Sequence, residues 1–153
     1  MHGIGVLLRS DGVKLSGCFQ HGLLHGIGMM RCPHGDTYEG DFIRGERSGY
    51  GEYEWIDGSS YKGQWLDDQM NGIGQLSTIS GRMDKNNSMN HRHPKHHYHQ
   101  QHQYQQAITT SSSGLWKRWE TIVRYDGDFV MDTLHGDGIA VMVDGSLYQG
   151  IDR

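Results

Sequence analysis

Cysteine and proline are scarce, with two of each in 153 residues. Cys18 and Cys32 are too few for a disulfide scaffold, and the strand pattern described below puts them on opposite faces, which disfavours a bridge. No apolar run approaches the roughly 20 residues that a helix needs to cross a bilayer. The opening, MHGIGVLLRS, has neither a charged leader nor a long apolar core, so no secretory signal is recognised and an intracellular location is expected. Neither charge sign dominates, at 14 basic against 18 acidic residues, and no nucleic-acid partner is expected. The length suits one domain.

Glycine is abundant, and it has a period. Tyr38, Gly40 and Phe42 return 23 residues later as Tyr61, Gly63 and Trp65, and again as Tyr125, Gly127 and Phe129. Stepping 23 residues back from Tyr38 gives Leu15, Gly17 and Phe19, with leucine where the tyrosine should be. A second pair of glycine columns runs through Gly26 and Gly28, Gly49 and Gly51, Gly72 and Gly74, and Gly136 and Gly138; a fourth runs through Gly12, Gly35, Gly58, Gly81 and Gly145. Four columns hold 20 of the 23 glycines, which a flexible linker would not produce.

Each unit reads as two short strands. In residues 38–60, Tyr38, Gly40 and Phe42 share one face, Glu39 and Asp41 the other. Tyr53 and Trp55 then alternate with Glu52 and Glu54. This period of two marks half-buried strands. Gly45 and Gly49 supply the bend within the unit, and Asp57-Gly58 signals a tight turn between units with both central residues at positive φ. Gly40, inside a strand, leaves room for a ring or backbone to approach. The expected fold is all-β: an elongated antiparallel meander of stacked 23-residue hairpins, with units at 15–37, 38–60 and 61–83 after a half unit, and resuming over 125–153.

Tyr38-Glu39-Gly40-Asp41-Phe42 and Tyr61-Lys62-Gly63-Gln64-Trp65, each followed by a Gly-x-Gly pair, resemble the MORN repeat (membrane occupation and recognition nexus) over about two-thirds of the chain. Proteins of that family include junctional membrane tethers, ciliary radial-spoke components, parasite cytoskeletal scaffolds and regulatory parts of lipid kinases and of a lysine methyltransferase. The resemblance implies a non-enzymatic scaffold with protein partners, cytoplasmic and associated with cytoskeleton, cilium or membrane periphery. Its alternative is a regulatory segment of a larger enzyme. The chain begins and stops within a unit, so a longer array is conceivable, and strand edges left open this way invite edge-to-edge self-association.

Residues 84–124 interrupt the repeat by 41 residues. The stretch 84–114 is rich in His, Gln and Asn with little aliphatic content, and is expected to be disordered. His91, His93, His96, His97, His99 and His102 could ligate a metal, but without a cysteine pair or a packed framework they read as low-complexity sequence, and no metal or cofactor is expected. Trp116, Lys117, Arg118 and Trp119 form a candidate membrane or partner contact; the other reading folds the tryptophans back onto the sheet. Residues 82–124 carry a net charge of +5 and the repeats −9. The segment therefore suits weak contact with anionic lipid, or contact with its own acidic repeats.

No residue set reads as an active site. The Gly-x-Gly pairs lack the third glycine and the strand-to-helix setting of a phosphate loop, and they recur in every unit, which makes them turn chemistry. His25, Ser48, Asn71 and His135 share a column, with a polar role beside a turn. Asp67-Asp68 reads as a solvated pair.

Overall fold

The computed structural model describes residues 2–79 and 122–151. They form ten strands: β1 (Gly3–Leu8), β2 (Lys14–Gln20), β3 (Leu23–Arg31), β4 (Thr37–Ile43), β5 (Glu46–Glu54), β6 (Ser60–Leu66), β7 (Gln69–Ser77), β8 (Ile122–Val130), β9 (Thr133–Met142) and β10 (Leu147–Ile151). All join one antiparallel sheet in sequence order, the all-β meander expected from the repeat. The histidine tract and the segment Trp116–Trp119 lie outside the described residues.

Glycine sets the register. Gly28 pairs with Gly40, Gly51 with Gly63, and Gly74 with Gly127. The last pairing joins β7 to β8 in the same frame although the inserted residues separate them. β8 begins at Ile122, inside the stretch assigned to the insert. Ile122 is buried and Arg124 pairs with Ser77, so both belong to the sheet.

Two turn types alternate, and their positions correct the sequence reading. The turn with both central residues at positive φ lies within units, at His21-Gly22, Arg44-Gly45, Asp67-Asp68 and Met131-Asp132. Its backbone twist matches that of the strands it joins. The turn between units has only its glycine there. Gly58 has φ 85° and its amide donates to Trp55 O at 2.8 Å, while Asp57 keeps negative φ and its carboxylate accepts from the Ser59 amide. With Trp55 N donating to Ser59 O, the loop is the three residues Ile56-Asp57-Gly58, a type I turn closed by a left-handed glycine. Gly49 sits inside β5 rather than at the bend. It forms a bulge in which Asp41 faces the run between Arg47 and Gly51.

The core lies on one face. Tyr38, Phe42, Tyr53, Tyr61, Trp65, Tyr125 and Phe129 are buried there, and Trp55 packs against them half-buried.

Candidate interaction surface

Strand alternation delivers the aromatic residues to one side, and edge-on ring contacts link successive units. Tyr38 lies 5.2 Å from Phe42 and 5.3 Å from Trp65; Tyr61 lies 5.2 Å from Trp65 and 4.9 Å from Phe129. Such pairs contribute roughly 0.5–1.5 kcal/mol each beyond area burial. Every polar handle on these rings has a partner. Tyr38 Oη donates to Asp41 O, Tyr61 Oη to Gln64 O, Tyr125 Oη to Asp128 O, and Trp65 Nε1 to Gly51 O. Burial pushes the Tyr125 hydroxyl up to about 12 and those of Tyr38, Tyr53 and Tyr61 higher still, so all four stay protonated. The Gly-x-Gly requirement follows from these rings: a Cβ at Gly51 would overlap the Tyr38 ring, and one at Gly138 the Tyr125 ring.

A second link is invisible in the sequence. Three of the four within-unit turns, those at Arg44-Gly45, Asp67-Asp68 and Met131-Asp132, fold onto the second strand of the preceding unit. Gly45 N donates to Leu24 O at 2.8 Å, Asp68 N to Arg47 O at 3.0 Å, and Asp132 N to Met70 O at 3.0 Å. At the middle joint, Asp68 Oδ1 accepts from the Arg47 amide at 3.0 Å and from Arg47 Nε at 2.8 Å, while Arg47 Nη2 donates to Asp68 O at 2.7 Å. The Arg47 guanidinium also lies 4.4 Å from the centre of the Trp65 ring. Asp68 is thus an ion-pair partner, which corrects its reading as solvated; Asp67 is exposed. Hydropathy hides this pairing, because a buried arginine looks like a surface residue until its partners 21 positions away are placed.

Asp36 makes a further tie between units. Its carboxylate accepts from Tyr53 Oη at 2.8 Å and from the Ile56 amide at 2.9 Å, with His34 Nε2 2.9 Å away. Burial first, then the nearby Asp36 charge, raises the Cys32 thiol to about 11, so it is not a thiolate nucleophile. Cys18 and Cys32 are both free. Among the described residues no group of three or more His, Cys, Asp or Glu stands close enough to hold a metal ion, and no helix is long and apolar enough to cross a membrane.

The opposite face, called the outer face below, meets solvent. Glu39, Glu52 and Lys62 are exposed on it, and Lys62 Nζ lies 3.2 Å from Glu52 Oε2. The aromatic residues of the repeat from Tyr38 to Phe129 pack on the ring face, and the outer face is exposed.

The model of the MORN repeat matches residues 1–14, 16–37, 38–60, 61–81 and 125–147. A search of curated proteins gave no match. Repeats of this family are generally protein- or membrane-interaction modules, typically non-enzymatic. With most of its length in five matched repeats, strands in unbroken order and a glycine frame that carries across the insertion, the chain belongs to the MORN-repeat family.

Proposed function

We propose that the chain is a non-enzymatic scaffold that holds protein partners at fixed spacing in the cytoplasm, at the cytoskeleton, cilium or membrane periphery. The observation that carries this reading is the consumption of the ring face by its own packing. Buried rings, satisfied hydroxyls and turn-to-strand joints tie unit to unit and leave the outer face to be read by something else. Two strands per unit advance the surface by about 9.6 Å, so a repeated partner motif would meet a repeated geometry. The basic segment with Trp116 and Trp119 adds a weak contact to anionic lipid, supported by the charge of +4 on residues 82–121, Arg124 being in the sheet, beside −8 on the rest of the chain. Proximity labelling of the tagged full-length protein tests the scaffold reading: recovery of structural, non-catalytic neighbours is expected, and stoichiometric recovery with one lipid kinase or methyltransferase would replace it with the regulatory-segment reading. Co-sedimentation with phosphatidylserine vesicles tests the lipid contact, which should fade with salt.

A further inference from the structure

The outer face is divided along the strands, and its division points to a partner. Ile4, Ile27, Tyr50 and Ile73 occupy the residue between the two glycines of the Gly-x-Gly pair in four successive units. Their exposures are 93, 74, 54 and 69 %. None of them contributes to the core, and flanking glycines leave each standing clear of its strand neighbours. They sit on β1, β3, β5 and β7, a row about 29 Å long at the usual strand spacing. Two residues further along the strands, beside the tight turns, a second row carries Leu23, Ile43, Leu66 and Val130, also exposed. Scattered exposed aliphatics need no explanation, but a band in which they recur at the unit period, with Cys18, Asp41, Gln64 and Asp128 on the strands between, marks an interaction surface.

Charge selects the occupant. The charged residues in these two rows, among those described, are Asp41, Glu46, Asp128 and Asp137, and every one is acidic. Asp41 and Asp128 each spend one oxygen on the amide of a bulge opposite, Tyr50 N and Asp137 N. The strand cations of this face, Lys14, Arg31, Lys62 and Arg124, lie on the other half of the strands, while the exposed Arg44 stands in the tight turn after Ile43, one cation against the four carboxylates. An anionic leaflet and a second copy of the same acidic band are both repelled by it. We propose that the band docks a basic amphipathic segment of another protein, whose aliphatic side chains cover the isoleucines and whose Lys or Arg residues meet the four carboxylates. This deepens the scaffold reading by naming the class of partner, and rests on it.

The test uses the full chain carrying p-benzoylphenylalanine in place of Tyr50, with an 18-residue amphipathic peptide of leucine and lysine as probe. Illumination is expected to cross-link peptide to position 50. Binding followed by fluorescence anisotropy should weaken at least about tenfold in the Ile27→Ser/Ile73→Ser double variant, a factor worth about 1.4 kcal/mol, with thermal melting unchanged because neither side chain is in the core. Glu46→Lys/Asp137→Lys should weaken it comparably and reduce its salt dependence. Three results overturn the proposal: peptide affinity indifferent to both double variants, cross-linking to phosphatidylserine vesicles instead of to peptide, or cross-linking in the free protein to its own residues 80–121. None of these disturbs the scaffold reading, which stands or falls on the neighbours recovered by proximity labelling.

Discussion

Two joints of the same geometry differ in chemistry. At both, a turn aspartate at positive φ donates its amide to a strand carbonyl of the preceding unit and accepts that strand's amide in return. Asp68 meets Arg47, whose guanidinium also covers the aromatic rings. Asp132 meets Met70, and its second oxygen, buried, has no hydrogen-bond partner among the described residues. Burial raises the Asp132 carboxyl, and the Met70 amide opposes that rise only in part. The backbone therefore defines the joint, and the side chain at the strand position decides whether the turn carboxylate has a charged partner, as the half-exposed Asp68 does and the buried Asp132 does not. An unpaired buried carboxylate costs free energy that a paired one recovers.

Removing the shared framework should have the largest effect. Trp65→Ala, which strips rings from both Tyr38 and Tyr61 and leaves Arg47 uncovered, should cost about 3 kcal/mol or more in urea unfolding. Converting the first joint into the second comes next. Arg47→Met keeps the backbone bonds but deletes the ion pair, and should cost about 1–2 kcal/mol, limited because Asp68 is half exposed to water. The opposite sign is expected at the second joint. Asp132→Asn should stabilise by up to about 1 kcal/mol at pH 7. A carboxyl whose folded pKa is raised disfavours folding once ionised, so wild type should gain on the variant as pH falls towards the unpaired value of 3.8. Met70→Arg should remove that pH dependence. Glu52→Ala, on the exposed face beside Lys62, should change stability by less than about half a kcal/mol.

The ring face was legible in the sequence because period two and glycine columns are local signals. Tyr38, Phe42 and Trp65 fall on the buried side that alternation assigns to them. The joints were not legible, since nothing local distinguishes Asp68 from the exposed Asp67 beside it. The tight turns hid for a related reason: only two of the four carry glycine, while Asp67-Asp68 and Met131-Asp132 reach positive φ with side chains that do not advertise it. Asp57-Gly58 drew attention instead, since its dipeptide belongs to two turn types that differ in loop length. The acidic, aliphatic division of the outer face was readable residue by residue only after the bulges had fixed which positions share it.

The repeat continues through the insertion. Arg47 and Asp68 are 21 residues apart; Met70 and Asp132 make the same joint 62 apart, the difference being the 41 inserted residues. Joining Met83 directly to Tyr125 should restore the 23-residue step, with Gly81 placed as Gly58 is before the next unit. The decisive measurement is amide hydrogen exchange at Met70 and Asp132 in that deletion, beside one that removes a further ten residues. Protection is expected at both amides in the first protein and its loss in the second. Protection lost in the first and kept in the second would contradict it.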